Sequence, residues 1–171
     1  GRRPLPVIDE TFYPDLDQAA LKLAEDIASV LKAALHARGQ GLLAVSGGRT
    51  PLHVFAHLRQ MDIDWKRITI SLTDERWVPP DHPESNERLA RTALLTGPAA
   101  KATFIPLFGG EDTPQSGHRA CEKRLSTLPL PFDAVYLGMG ADGHYASLFP
   151  QDVALGDGAG ICVPVSARRD R

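Results

Sequence analysis

A chain of 171 residues with 43% hydrophobic and 23% charged residues is long enough for one sizeable core and short for two, so a single globular α/β domain over residues 1–171 is the expectation. The formal net charge of -2 and the pI near 6.3 provide no concentrated basic face, which excludes nucleic acid as an expected partner because phosphate-backbone binding needs one. No apolar run approaches the roughly 20 residues of a membrane helix, and "GRRPLPVIDE" at the start has no hydrophobic signal core, so no membrane partner is expected and the expected setting is the cytoplasm. The basic run "ARRDR" near the end reads as a solvated tail.

In chain order, the first element is a helix. Leu21, Ala24, Ile27, Val30, Leu31, Ala34 and Leu35 recur at helical spacing between Asp17 and Arg38, and Gly39 and Gly41 stop the pattern. "LLAV" (42–45) is a short apolar strand that runs into "SGGRTP", where Thr50 suits a helix cap and Pro51 a first helical position. The same beat recurs: "RITISL" (67–72) ends in "TDERWVPP", and Ser85 caps the helical stretch "SNERLARTALL". "ATFIPL" (102–107) precedes a helix near 115–127, "FDAVYLG" (132–138) precedes "LGMGADGHYASLFP", and "ICVPV" (161–165) reads as a last strand. Strands alternating with helices, the strands almost continuously apolar, argue for a parallel sheet covered on both faces. In such sheets ligands bind beyond the carboxyl ends of the strands. Cys121 and Cys162 lie far apart with no Cys or His at metal-ligand spacing, so free, buried or half-buried thiols are expected rather than a disulfide or a zinc site.

Three stretches at strand ends carry chemistry. Gly138, Gly140 and Gly143 fit G-x-G-x-x-G, but a dinucleotide turn leads into a long helix with an acidic residue about 20 positions on, and here Pro150 and Gly156, Gly158 and Gly160 interrupt the stretch where that helix would run. The glycines instead let the backbone turn tightly toward a ligand, with Asp142 and His144 at the mouth of the sheet; a histidine satisfied by local backbone groups is the plainer alternative. "SGGRTP" offers free backbone N–H groups and the positive end of a helix dipole to an anion such as a phosphate. It lacks the G-K-[ST] of a nucleotide loop, which favours a small phosphorylated molecule over ATP, and an ordinary strand-to-helix turn is the alternative. In "TDERWVP" either Asp74, Glu75 and Arg76 form an exposed turn with an internal salt bridge, or Asp74 and Arg76 face the cleft of His144. His53 and His57 sit one helical turn apart, yet Val54 stands where a zinc protease has glutamate, so no metal is assigned to them.

Together and in this order, "SGGRTP", "TDERWVPPDHPESNERL" and "GMGADGHYASLFP" closely resemble the 6-phosphogluconolactonase family, and the likeness runs from the first helix to about Pro164. The resemblance implies a Rossmann-like, mostly parallel sheet with helices on both faces, of the sugar-phosphate isomerase/deaminase type. It implies hydrolysis of 6-phospho-D-glucono-1,5-lactone, a small phosphorylated sugar lactone, to 6-phosphogluconate in the pentose phosphate pathway, with neither metal nor organic cofactor. Carried over by position, the general base falls on His144, a neutral imidazole suited to accept a proton from water near pH 7. Asp142 orients or polarises it, and Arg76 or backbone N–H groups of the glycine turn stabilise the oxyanion. Asp74 and Asn86 meet the sugar hydroxyls, while Ser46, Gly47, Gly48 and Thr50 hold the 6-phosphate with Arg49 as helper.

The family usually continues past the strand matching "ICVPV" with further strand and helix and another basic residue near the site, so this stretch is expected to lack the family's C-terminal elements, with Arg168 and Arg169 as candidate stand-ins for that basic residue on sequence proximity alone. Two other readings stay open. Glucosamine-6-phosphate deaminases share a similar glycine loop and D-G-H turn, but carry a glutamate five positions after that histidine, where Phe149 stands here. A non-catalytic sugar-phosphate sensor on the same fold usually carries a DNA-binding module, and residues 1–15 are too few for one.

Overall fold

The computed structural model describes residues 8–11, 16–48, 51–139 and 145–148. Six strands form one sheet in the order β1-β6-β5-β2-β3-β4: β1 (Ile8–Thr11), β2 (Gly41–Val45), β3 (Ile68–Leu72), β4 (Thr103–Phe104), β5 (Ala134–Met139) and β6 (Tyr145–Leu148). Strands β2, β3, β4 and β5 run parallel, while β6 is antiparallel to both β5 and β1. The sheet is therefore mostly parallel, as expected. The antiparallel edge was not legible: "IDET" carries two acids and "YASL" is too short and mixed to read as a strand. The predicted strand at 161–165 lies outside the described residues.

The helices follow the predicted periodicity closely. Helix α1 (Leu16–Arg38) ends at Gly39, whose φ of 75° is the left-handed conformation that glycine adopts without strain, and whose N–H donates to the Leu35 carbonyl at 2.8 Å. Helix α2 (Pro51–Leu58) starts on the predicted proline. Helix α3 (Asn86–Ala93) is capped by Ser85, whose hydroxyl accepts from the Arg88 N–H at 3.1 Å. Helix α4 (Pro114–Ser126) opens with a capping box between Thr113 and Ser116. The predicted strand 102–107 shrinks to two residues, Thr103–Phe104, at the sheet edge: a turn of 3₁₀ helix, Gly97–Lys101, precedes it, and the paired register with β3 ends at Phe104.

Side chains of β2 divide between two cores, as the period of two requires. Leu43 and Val45 join α1, α2 and α3 on one face, together with Ile70 of β3 and Tyr136 of β5. Leu42 and Ala44 join Cys121 and Leu125 of α4 and Val135 of β5 on the other. Helices thus cover both faces, and β2 is wholly buried. Asp133 fastens the start of β5: one oxygen accepts from the Leu42 N–H at 2.8 Å and the other pairs with Arg38 at the end of α1. Cys121 is buried and disulfide-bonded, where a free thiol was expected. Cys162 lies outside the described residues. Among the described residues no helix is long and apolar enough to cross a membrane.

Candidate active site

The strand order fixes where a crevice opens. From β2 the chain moves outward through β3 to β4, then crosses back to place β5 on the other flank of β2, so the topological switch point lies between β2 and β5, beyond their carboxyl ends. Residues 46–48 leave β2 at that point, and residues 140–144 come after β5. Arg49 and Thr50 of the first loop, and Asp142 and His144 of the second, lie outside the described residues.

The described part of the glycine loop has two unusual features. Ser46 is buried, and its Oγ has no hydrogen-bond partner among the described residues. A buried polar atom left unpaired costs about 1–3 kcal/mol, a cost that a ligand supplying a partner removes. Gly48 adopts φ 108°, a backbone conformation that a side chain resists.

The loop after β3 lies beside it, joined by the Thr73 N–H donating to the Val45 carbonyl at 2.9 Å. Asp74 is exposed, and Thr73 Oγ1 donates to its Oδ1 at 3.2 Å. The guanidinium of Arg76 donates through Nη1 to Asn86 Oδ1 at 3.1 Å and to the Glu84 carbonyl at 3.2 Å. Asn86, at the first position of α3, is 3% exposed, and its Nδ2 donates to the Asp74 carbonyl at 3.1 Å. A Cβ placed on Gly47 would lie 1.9 Å from Asn86 Oδ1, so the carboxamide occupies the space that this glycine leaves free. Ser46, Gly47, Asp74, Arg76 and Asn86, predicted from separate motifs, are thereby gathered in one place. Both polar ends of the Asn86 carboxamide are engaged within the protein, which leaves one N–H of Nδ2 and a remaining lone pair of Oδ1 for anything else.

Glu75 and Trp77 were not singled out as site residues, and both organise this loop. The Glu75 carboxylate accepts the N–H groups of Asn86 at 2.7 Å, Arg76 at 2.8 Å and Glu87 at 2.8 Å. Burial pushes its pKa above the ordinary glutamate range, against the pull of those backbone donors, with the neighbouring Glu87 carboxylate adding to the rise. Trp77 donates from Nε1 to the Glu111 carbonyl at 2.8 Å and stacks edge-on against Phe108 at 5.0 Å. The signal for Glu75 was the alternation that puts Asp74 and Arg76 on one side of the strand end, since the residue between them must turn the other way.

The two histidines of α2 do not approach this region as a pair: His57 Nε2 lies 2.9 Å from Asp17 Oδ1 of α1. Among the described residues no three His, Cys, Asp or Glu side chains gather as a metal site would require.

Comparison with known proteins identifies the family. A family profile described as "Glucosamine-6-phosphate isomerases/6-phosphogluconolactonase" matches residues 14–171. A 6-phosphogluconolactonase of Pseudomonas aeruginosa is 45% identical over 155 residues, covering 88% of this chain and 65% of the relative. One from Rhizobium meliloti is 44% identical over 133 residues, covering 78% of this chain and 57% of the relative. The chain therefore spans less than two thirds of the length of either. The crystal structure of a 6-phosphogluconolactonase from Shewanella baltica superposes with a TM-score of 0.73 at 44% identity, over 75% of this chain and 55% of that one. A match over nearly the whole chain, on the mostly parallel sheet that family resemblance implied, places the chain in the glucosamine-6-phosphate isomerase/6-phosphogluconolactonase family.

Proposed function

We propose that the protein acts in the cytoplasm and hydrolyses 6-phospho-D-glucono-1,5-lactone to 6-phosphogluconate, the activity that the names of its relatives suggest. The observation that carries the reading is the buried Ser46 hydroxyl, without a hydrogen-bond partner among the described residues, beside Gly47 and Gly48 at the switch point. Such a loop suits an anion: Ser46 donates its hydroxyl, the glycines and Thr50 offer N–H groups ahead of α2, and Arg49 adds positive charge. The phosphate bound there holds the lactone ring toward the loop after β3 and the turn after β5. Asp74 and Asn86 then meet the sugar hydroxyls.

In the chemical step His144 takes a proton as water attacks the ring ester carbonyl, with Asp142 orienting the imidazole. The carbonyl oxygen gains negative charge, which Arg76 or N–H groups of the glycine turn stabilise. Collapse re-forms the carbonyl, breaks the bond to the ring oxygen and returns the proton to that oxygen, giving the open-chain acid. Phe149 stands where the deaminases carry an acid, and an apolar ring moves no protons, so ring-opening deamination is not favoured.

The test is turnover of the phosphorylated lactone by the complete protein, corrected for spontaneous hydrolysis. His144→Ala should lose roughly 10²- to 10⁴-fold in kcat, the usual worth of a general base, while affinity for 6-phosphogluconate stays near that of wild type. Unphosphorylated glucono-1,5-lactone should be a far poorer substrate in both kcat and KM, because phosphate binding energy positions the reacting carbonyl. Near wild-type turnover in the variant would remove His144 from the mechanism, and equal kcat/KM for the two lactones would remove the phosphate from the glycine loop.

A further inference from the structure

Glu75 lies between two residues proposed to meet substrate, yet its own carboxylate turns away from them. Oxygen Oε1 is shared by two N–H donors, that of Asn86 in α3 at 2.7 Å and that of Arg76 in the loop at 2.8 Å, while Oε2 takes the Glu87 N–H at 2.8 Å. Glu75 is thus the point at which the loop after β3 and the first turn of α3 are tied together. From that tie two side chains extend toward the glycine loop: Asn86, whose carboxamide fills the space above Gly47, and Arg76, whose guanidinium rests on Asn86 Oδ1.

Helix capping alone does not account for this arrangement. Ser85 already caps α3 at the Arg88 N–H, and a residue serving only the helix end would have no need of the Arg76 N–H, which lies outside the helix. A direct chemical role does not account for it either, since both oxygens are committed to backbone donors.

The geometry points to Glu75 as a positioning residue for the reaction: through its shared Oε1 it fixes Arg76 and Asn86 against the glycine loop, and it affects turnover through Arg76. This inference rests on the lactonase reading above. A carboxamide in place of the carboxylate keeps the shape but makes one of its two ends a donor, so at least one of the three backbone N–H groups loses its acceptor and faces an NH₂ group, and the loss of charge weakens the bonds that remain, which loosens the tie. Misplacing a site group by about 1 Å can cost on the order of 10²-fold.

The experiment compares Glu75→Gln, Ser85→Ala, Arg76→Ala and the Glu75→Gln/Arg76→Ala double variant in the complete protein. For each, kcat and KM for the phosphorylated lactone, thermal stability and the side-chain amide signals of Asn86 in a ¹H–¹⁵N spectrum are recorded. Glu75→Gln should lower kcat by about 10- to 100-fold, well beyond the effect of Ser85→Ala, which weakens the same helix end. In the Arg76→Ala background the added cost should fall below about 3-fold, because residues that act as one unit are not additive. The Asn86 amide signals should stand apart from the solvent-exposed set in wild type, move to it in Glu75→Gln, and stay in place in Ser85→Ala. If Glu75→Gln does not fold, Glu75→Asp, which keeps the charge one methylene short, carries the same comparison. Full additivity with Arg76→Ala, an equal loss in Ser85→Ala, or unchanged Asn86 signals would overturn the inference. Absence of lactone turnover in wild type would instead overturn the lactonase reading, and the Asn86 signals would still decide whether Glu75 positions the loop.

Discussion

The contact between Gly47 and Asn86 shows how little freedom single positions have in this site. A methyl group at residue 47 would stand 1.9 Å from Asn86 Oδ1, and Asn86 cannot yield without releasing Arg76 and the Asp74 carbonyl. Gly47→Ala should therefore cost about 1–3 kcal/mol in stability, the usual penalty of overpacking, and lower kcat/KM by at least roughly 10-fold through displacement of Arg76. Chemical denaturation and steady-state kinetics measure both, and wild-type values in each would mean that the carboxamide moves aside freely. Glu75 makes a second prediction at this scale. Its pKa is raised in the folded chain, chiefly by burial, so across the interval between the ordinary glutamate value and the raised one the folded state holds more proton than the unfolded state. Its contribution to stability is then fully present below the ordinary glutamate value and declines as pH rises through the raised value. The stability difference between wild type and Glu75→Gln should shrink over that interval and level off above it; a difference that grows with pH would mean that the backbone donors outweigh burial.

Among the elements, α4 and the loop after β3 lock together through Trp77. Its Nε1 bond to the Glu111 carbonyl at 2.8 Å holds the indole over α4, where a Cβ on Gly117 would come within 2.1 Å of the ring. Helix propensity alone favours alanine over glycine in a helix interior by about 1 kcal/mol. Here the rigid ring should reverse the sign, with Gly117→Ala destabilising by about 1–3 kcal/mol and displacing the loop that carries Arg76. Thermal denaturation decides between the two effects: a higher melting temperature for Gly117→Ala would show that the indole shifts at little cost. On the opposite face, Arg91 ties α3 to the sheet edge, pairing with the buried Glu87 at 2.8 Å and lying 4.9 Å over the Phe104 ring. The helix bearing Asn86 is therefore fixed at both ends, by Glu75 and Ser85 at its start and by Arg91 near its finish.

For the whole molecule, the sheet centre is the mechanical base of the site. Strand β2 is flanked by β3 and β5 and buried on both faces, and the glycine loop and the loop bearing Arg76 leave β2 and β3 directly. Amide exchange should be slowest in β2 and β3 and fastest at β4, a two-residue edge strand, because opening the centre requires disrupting both cores at once. Slower exchange at β4 than at β2 would contradict this order. Such a base lets the loops hold fixed positions while some of their side chains, Asp74 and Arg76 among them, remain exposed.

From the sequence alone, the alternation of apolar strands and amphipathic helices determined the α/β class, the span of α1, the proline start of α2 and the Ser85 cap, because each rests on local periodicity or on a cap a few residues away. The residue types at the strand ends offered Ser46, Gly47 and Gly48 to an anion and left Asp74 and Arg76 between an exposed turn and a cleft, and the family resemblance joined these with Asn86 into one expected site, while Arg49, Thr50, Asp142 and His144 fall outside the described residues. Only the tertiary structure decided that Asn86 spends its carboxamide on Arg76, the Asp74 carbonyl and the space over Gly47, that Glu75 turns inward, that Trp77 selects glycine at 117, and that β6 enters antiparallel between β1 and β5. These depend on partners ten to forty or more residues away along the chain, and local periodicity carries no information about which distant backbone donor or empty Cβ position a side chain will meet.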